Sequence, residues 1–298
     1  MKNFVFIINP ISGKGIGKSI DPIIREFFKD KMDQIKIIFS EFPGHAREIA
    51  LEELNNSPDV IVACGGDGTI NEIASVLVNS NIVLGVIPVG SGNGLASNLN
   101  IPNNILLAIK NIWENNIFPM DVGKFNDRFF FSNVGLGIDA KVIKEYESRK
   151  TRNFIGYFNA AIKSLAEYKP IALKIEVDDR VFDEQNYFFA LCSNTNIAGY
   201  NVSFTPEASL DDGKLDVLLV ENLSFLKEVA FSYHVIKRTL DEFHKAKLFQ
   251  VEHINFKFNK AGILAQIDGE SVVLDSDEVD VIIIPKALKV IVPSKSMV

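Results

Sequence analysis

The sequence has few of the residues that mark secreted, metal-binding or nucleic-acid-binding proteins. Only two of its 298 residues are cysteines, Cys64 and Cys192, and each stands in an apolar run. Buried thiols are therefore expected, rather than a disulfide or a metal site. The formal net charge is −7, so the chain lacks the basic footprint of a general nucleic-acid binder. We expect no nucleic-acid partner.

Long apolar runs are also absent. No run approaches the 18 or so residues of a membrane span, so we expect no transmembrane segment. The first run, FVFII at 4–8, is too short for the core of a signal peptide and stops at Asn9-Pro10. We therefore expect a cytoplasmic protein. Its length and its 47% hydrophobic content suffice for one large domain or two ordinary ones.

The first part of the chain alternates strand and helix patterns. Strands are predicted at 4–8, 35–39, 59–64 and 82–87, and helices near 17–30, 45–55, 70–79 and 103–115. Because the apolar runs do not alternate with polar residues, both faces of these strands should be covered. This pattern predicts an α/β domain with a parallel sheet.

The pattern changes after Asp121, where short strands are separated by Gly, Asp and Asn turns, and helical patterns occur only near 154–167 and 225–243. We predict an antiparallel β-rich domain, most simply a β-sandwich. The predicted domains are 1–121, with 286–298 returning to it, and 122–285.

Three glycine-rich stretches follow predicted strands and precede helices. They are NPISGKG at 9–15, GGDGTINE at 65–72 and GSGNG at 90–94. In the second, Thr69 and Glu72 have the spacing of a capping box. A helix N-terminus at the carboxyl end of a parallel strand favours an anion. Any one stretch alone is a turn with positive φ, but the three together indicate phosphate binding.

Asp67 is the only acid within the Gly65–Thr69 loop. A carboxylate beside bound phosphates would be repelled unless a divalent cation neutralised it, so Mg²⁺ is implied. The alternative is a turn aspartate that bonds its own backbone.

With these residues in place, the chain resembles the lipid kinase family that includes bacterial diacylglycerol kinases, sphingosine kinases and ceramide kinases. GGDGT also occurs in NAD kinases, but the ordered set of motifs is specific. The set comprises NPISG (9–13), SEFPGHA (40–46), GGDGTINE (65–72), PVGSGNGLA (88–96), MDVG (120–123), NVGLGIDA (133–140), LDDGKLDV (210–217) and IDGE (267–270).

The resemblance implies an NAD kinase/phosphofructokinase-like nucleotide-binding domain and a β-sandwich lipid-substrate domain, with the active site in the cleft between them. It implies that Asp67 acts on the phosphate and Mg²⁺, and that Glu270 is the general base. It implies a structural Mg²⁺ held by the Asp212 side chain and the carbonyl groups of Ser209 and Lys214. The implied ATP contacts are Asn9, Ser12, Gly13, Ser40, Gly65, Gly66, Asp67, Gly68, Thr69, Ile70, Asn71 and Ser91.

The acceptor lipid stays open between a diacylglycerol type and a sphingoid type. The turn at 90–94 lacks an aspartate of the bacterial diacylglycerol kinase pattern, and this turn and GLGIDA look more like sphingosine kinases. Asp139 matches a substrate-recognising aspartate of that branch, or it caps a helix that begins at Ala140. Glu270 likewise has an alternative as a solvated residue after an ordinary Asp268-Gly269 hairpin turn.

Two other functions remain as alternatives, an NAD kinase and a non-catalytic nucleotide- or lipid-binding regulator. For the lipid kinase we expect ATP and Mg²⁺ as cofactors and a lipid substrate at the inner membrane surface, where the enzyme is peripheral. A homodimer is compatible with the sequence. The basic segment 141–152 either touches an anionic membrane or forms a solvated helix face, and the second interpretation is favoured.

Overall fold

A computed structural model describes residues 2–90, 92–148, 159–161, 163–165, 168–177, 180–197 and 202–294. The chain divides into two compact units: the first is Met1–Met120 with Lys286–Val298, and the second is Asp121–Pro285. Among the described helices, none has the length and hydropathy that a membrane span requires. Most of the helix predicted near 154–167 lies outside the described residues.

The first unit has the strands β1 (Phe4–Ile8), β2 (Ile35–Phe39), β3 (Val60–Gly65) and β4 (Val83–Pro88). They form a parallel sheet in the order β4-β3-β1-β2. Every residue of β1, β3 and β4 is buried, as coverage of both faces by helices requires. The helices are α1 (Ile20–Phe27), α2 (His45–Asn56), α3 (Asp67–Leu77), α4 (Gly94–Asn98) and α5 (Ile105–Glu114).

The second unit consists of antiparallel strands and two described helices of ten or more residues, α6 (Ile138–Glu147) and α7 (Phe225–Lys237). Its strands are β5 (Ile117–Phe125), β6 (Arg128–Phe130), β7 (Asn133–Gly137), β8 (Ile171–Val177), β9 (Arg180–Ser193), β10 (Leu215–Glu221), β11 (Ala246–Val251), β12 (His253–Phe258), β13 (Leu264–Ile267), β14 (Glu270–Val273) and β15 (Glu278–Ile291). They pair in the order β14-β13-β7-β9-β8-β12-β15, with β10 between β9 and β11 and with β6 paired to β5.

Strands β5 and β15 contribute residues to both units. The end of β15 adds a parallel neighbour to β4 in the first unit, where Val290 pairs with Leu84. The predicted strand at 286–292 is therefore the last part of a longer strand. The predicted fold class, an α/β domain followed by an antiparallel β-rich domain, is confirmed.

Alternate residues of β10 face two different apolar clusters. Leu215 and Val217 pack among the strands, whereas Leu218 and Val220 pack with residues of α6 and α7. One face of this part of the sheet is therefore covered by strands and the other by helices. Cys64 and Cys192 are buried free thiols, as expected, and burial raises the pKa of both.

The predicted capping box is wrong. Helix α3 begins at Asp67 rather than after Thr69, and its N-cap is the extended Gly66. Thr69 and Glu72 make tertiary hydrogen bonds instead: the Thr69 hydroxyl accepts one from Asn9, and the Glu72 carboxylate accepts one from the Gly44 amide. These long-range partners outcompete the local cap that the spacing indicates.

Candidate active site

The three glycine-rich stretches of the first unit lie at the carboxyl ends of adjacent strands. The amide of Asn9, after β1, donates to the carbonyl of Cys64 in β3 at 2.9 Å. The amide of Val89, after β4, donates to the carbonyl of Gly65 at 2.9 Å. Parallel α/β sheets bind ligands at this edge. The structure therefore brings the predicted phosphate loops together.

The glycines allow these loops to touch backbone against backbone. A Cβ on Gly90 would lie 2.6 Å from the Gly66 Cα, and a Cβ on Gly13 would lie 2.3 Å from the Val89 carbonyl oxygen. Of these three residues only Gly13 has a positive φ, +60°. Gly66 and Gly90 have no positive φ, so turn conformation does not require glycine there. The close approach of the two backbones does.

The Asp67 carboxylate links two of the loops. Its Oδ1 accepts a hydrogen bond of 2.7 Å from the Gly94 amide, and a Cβ on Gly92 would lie 2.9 Å from its Oδ2. Burial raises the pKa of Asp67, and backbone amides that include that of Gly94 partly oppose the rise. The carboxylate is half-buried, so a partner on its open side could still reach it.

The side chain of Asn9 connects the first loop to α3. Its Nδ2 donates to Thr69 Oγ1 at 3.0 Å, and its Oδ1 accepts from the Ile11 amide at 3.1 Å. The Glu72 carboxylate extends the network to the SEFPGHA segment through the Gly44 amide, at 3.0 Å. Four motifs that are separate in sequence therefore share one hydrogen-bonded framework.

The remaining predicted ATP contacts differ in accessibility. Ser40 is buried after β2, and its amide donates to the Ile8 carbonyl. The Ile70 side chain is buried in the core and its amide donates to Gly66, so neither is free to bind a ligand. Ser12, Gly13 and Asn71 are partly buried, and Gly68 is exposed. Ser91 lies outside the described residues.

An aromatic pair beside Ser40 was not predicted as part of the site. The rings of Phe42 and His45 stack with centroids 4.5 Å apart and planes 3° from parallel, and Phe42 is half exposed. The Glu41 amide donates to His45 Nδ1 at 3.0 Å, which fixes the imidazole. This pair offers a flat surface on which a nucleobase can stack.

In the second unit, Asp268 and Gly269 form the predicted two-residue turn between β13 and β14, with φ values of +48° and +83°. The Asp268 carboxylate accepts hydrogen bonds from the amides of Phe131, Ser132 and Asn133 at 2.8, 2.7 and 3.1 Å. The turn is therefore anchored to the start of β7, and the turn motif alone gives no signal of this role.

Two further residues fix the backbone on either side of Glu270. Gln266 Oε1 accepts from the Gly269 amide at 2.9 Å, and Glu147 Oε1 accepts from the Ser271 amide at 2.9 Å. Glu270 itself is exposed at the start of β14. Its carboxylate therefore projects from a hairpin whose backbone is held on both sides.

Asp139 lies inside the first turn of α6, whose N-cap is Gly137, so a helix that begins at Ala140 with Asp139 as its cap is wrong. Burial raises the pKa of Asp139 to about 7, and a hydrogen bond with Gln266 partly opposes the rise. Gln266 also donates to Asn133 Oδ1 at 2.7 Å. Asp139 is thus joined, through Gln266, to the hairpin that carries Glu270.

The proposed metal ligands lie in the turn before β10. Asp212 Oδ1 accepts from the Lys214 amide at 3.0 Å, and its Oδ2 accepts from Gln250 Nε2 at 3.2 Å. Among the described residues no group of three His, Cys, Asp or Glu side chains could hold a metal ion. A site at Asp212 would therefore depend on backbone carbonyl groups. The exposed carboxylate and oxygen donors are of the type that Mg²⁺ binds.

Glycine-rich loops at the carboxyl edge of a parallel sheet, followed in the same chain by an antiparallel β unit, are the arrangement expected of a nucleotide-dependent kinase. Family comparison agrees: residues 3–125 match the diacylglycerol kinase catalytic domain, and residues 132–292 match the YegS C-terminal NAD kinase beta sandwich-like domain. A Staphylococcus saprophyticus protein named diacylglycerol kinase is 32% identical over 220 residues, which cover 72% of each chain. The chain belongs to the diacylglycerol kinase catalytic domain family, and it is a kinase.

A second relative agrees with this assignment, and two solved structures share the fold. A diacylglycerol kinase of Staphylococcus aureus is 33% identical over 220 residues, 72% of this chain and 69% of that protein. The crystal structure of a proposed diacylglycerol kinase from Bacillus anthracis superposes with a TM-score of 0.83 at 23% identity, covering 100% and 99% of the two chains. An ATP-bound NAD kinase from Archaeoglobus fulgidus reaches only 0.53 at 17% identity, covering 98% and 93%. At these identities the structures show the fold alone.

Proposed function

We propose that the protein transfers the γ-phosphoryl group of ATP to the hydroxyl group of a diacylglycerol-type lipid at the inner membrane surface. The observation that carries this proposal is the 32% identity, over 72% of the chain, to a protein named diacylglycerol kinase. The clustering of three glycine-rich loops at one sheet edge gives it a physical basis, because backbone amides there can hold phosphate oxygens.

The first unit binds the nucleotide in this proposal. The Asn9–Gly13 loop, the Gly65–Thr69 turn at the start of α3, Asn71 and Ser91 would contact the phosphates and ribose. Ser40 would lie nearby, and the base would stack on the Phe42–His45 pair. Asp67 would hold Mg²⁺, which when bound neutralises phosphate charge that the carboxylate would otherwise repel. The half-buried position of Asp67 beside Gly94 supports this role, because one oxygen is fixed by the protein.

The second unit binds the acceptor. Glu270 would accept the proton of the lipid hydroxyl as its oxygen bonds to phosphorus, which is general-base catalysis. The exposed carboxylate on a fixed hairpin supports the role, since a base must reach the substrate without moving its backbone.

Transfer of radiolabelled phosphate from ATP to a panel of diacylglycerol, sphingosine, ceramide and NAD tests this function. We expect the label in diacylglycerol, with none in NAD. Label in NAD alone would make the protein an NAD kinase. ATP binding without transfer to any acceptor would make it a non-catalytic regulator.

Asp212→Ala should lower activity and reduce the rise in melting temperature on adding Mg²⁺, because it removes the only proposed side-chain ligand of the structural ion. Asp127→Ala is the control, because Asp127 is fully exposed in the β5–β6 turn and is not among the proposed ligands. Thermal melts with and without Mg²⁺ measure the effect. If all three proteins respond equally to Mg²⁺, the turn holds no ion and Asp212 is an ordinary turn aspartate.

The charge on Asp139 should affect the binding of a sphingoid base, which carries an ammonium group, more than that of a neutral diacylglycerol. Its pKa of about 7 lies above the usual value near 4. Between these values the native carboxyl holds a proton that the unfolded chain has lost, so its contribution to stability falls as pH rises through this window. At pH 7 about half of the Asp139 carboxyl groups are ionised. The ammonium group of a sphingoid base would pair with the ionised form, so its binding should strengthen as pH rises through this window.

Asp139→Asn should therefore abolish this loss of stability, on the order of 2–4 kcal/mol between pH 4 and pH 8, and leave diacylglycerol transfer within about threefold. Melts across pH and transfer assays with both lipids measure these effects, and Asp127→Asn on the exposed β5–β6 turn is the control. A sphingosine activity that rises with pH through about 7, and that Asp139→Asn alone reduces by roughly tenfold or more, would establish a sphingoid acceptor instead.

A further inference from the structure

Helix α7 presents large apolar side chains to solvent. Leu226, Val229, Tyr233 and Ile236 have exposed fractions of 79%, 57%, 58% and 80%. Their spacing of three, four and three residues places them on one face of the helix. We call these four residues the α7 stripe. Single exposed apolar residues are common, but four aligned on one helix form a surface that marks a binding site.

The opposite face of α7 fixes the direction of the stripe. Phe231 is buried and packs against Phe188 and Phe243, with ring centroids 5.9 and 6.0 Å apart. Because the helix is held through this buried face, the α7 stripe cannot turn inward without breaking the aromatic packing. In the part of the chain that the structure describes, the α7 stripe is therefore exposed when the second unit is folded.

An exposed lysine borders the stripe at the end of the helix. Lys237 is exposed at the last residue of the helix and borders the stripe on the side opposite Ser232, which is also exposed. The acid of the first turn, Glu228, is partly buried, and burial raises its pKa. A lysine at the border of an apolar helix face can reach lipid phosphates while the apolar side chains enter the acyl region.

We propose that the α7 stripe docks the protein on the surface of a lipid bilayer, with the helix parallel to the membrane. This inference rests on the proposed function, since a diacylglycerol acceptor resides in the bilayer. A second copy of the chain is the competing occupant, and the oligomeric state of the stripe variants distinguishes it in the experiment below. A helix of this kind penetrates about 5–10 Å into the boundary between headgroups and acyl chains.

Helix α7 packs in the same apolar cluster as the start of α6. Phe188 contacts Phe231 on one side and Tyr168 on the other, at centroid distances of 5.9 and 5.5 Å. A Cβ on Gly137, the N-cap of α6, would lie 2.8 Å from the Tyr168 hydroxyl oxygen. Membrane contact at α7 is thus connected by packed side chains to the start of the helix that carries Asp139.

Cosedimentation with vesicles of phosphatidylglycerol and phosphatidylcholine, without ATP or diacylglycerol, tests the proposal. Leu226→Ser/Ile236→Ser should bind at least tenfold more weakly than the parent, because the two most exposed apolar side chains no longer enter the bilayer. Leu106→Ser/Leu107→Ser on α5 removes two exposed leucines, at 43% and 46%, from the first unit and should bind like the parent. If the first variant melts early, Val229→Ser/Tyr233→Ser replaces it.

Transfer to a water-soluble short-chain diacylglycerol separates docking from catalysis. It should be unchanged in the stripe variants, whereas transfer to diacylglycerol in vesicles should fall with binding. If no variant or parent phosphorylates any lipid, the proposed function fails, but vesicle binding still decides the docking role. Vesicle binding that is equal in all proteins overturns the proposal, and a parent dimer that becomes monomeric in the stripe variants would assign the surface to a protein interface.

Discussion

Asp67→Asn is expected to reduce phosphoryl transfer by roughly 10³-fold or more while the protein stays folded. The substitution keeps an oxygen at Oδ1, so the 2.7 Å hydrogen bond from the Gly94 amide can remain. What it removes is the negative charge that would hold Mg²⁺ against the nucleotide. Because phosphoryl transfer depends on positioning and charge neutralisation, losing that charge should affect the chemical step most.

Asp127→Asn is the matched control, since Asp127 is fully exposed in the β5–β6 turn and should tolerate the change. Radiolabelled transfer at saturating ATP measures the activity, and thermal melting shows whether the fold is retained. Normal turnover by a folded Asp67→Asn protein would assign Asp67 a purely structural role, as the link between its own loop and the one that ends at Gly94. Its hydrogen bond to Gly94 makes that outcome a concrete alternative.

Sequence patterns identified the strands of the first unit because their apolar runs are short, continuous and bounded by turn residues. The predictions at 4–8 and 35–39 have the same bounds as β1 and β2. Strand β5 was not predicted, because Ile117–Phe125 contains a proline and a glycine and crosses the predicted domain boundary. Its pairing with β6 and β15 is a tertiary property that local propensity does not contain.

In the candidate site, too, residues that act through distant partners could not be predicted from sequence. Asp67 and Glu270 could be selected from sequence, since each stands beside glycine in a recognisable motif. The anchoring role of Asp268 could not, because the amides that it binds precede it by 135 to 137 residues. Glu147 is separated from Ser271 by 124 residues. Residues that orient a site through such partners leave no local spacing by which they could be recognised.

Glu270→Gln should lower kcat by roughly 10²–10⁴-fold with little change in ATP affinity, as removal of a general base does. The hairpin should keep its shape, because Asp268, Gln266 and Glu147 hold the backbone around position 270 without using its side chain. Steady-state transfer to diacylglycerol gives kcat, and nucleotide binding measured without acceptor gives the affinity.

Glu252→Gln is the control, because Glu252 is also an exposed glutamate between two strands of the second unit. A further variant, Asp268→Asn, weakens the anchor of the turn but keeps the carboxylate of Glu270. If Glu270 is the base, Asp268→Asn retains more activity than Glu270→Gln, and its loss is accompanied by a lower melting temperature. Loss of ATP binding in Glu270→Gln with kcat preserved would instead make Glu270 a structural residue, and the proton of the acceptor would then need another base.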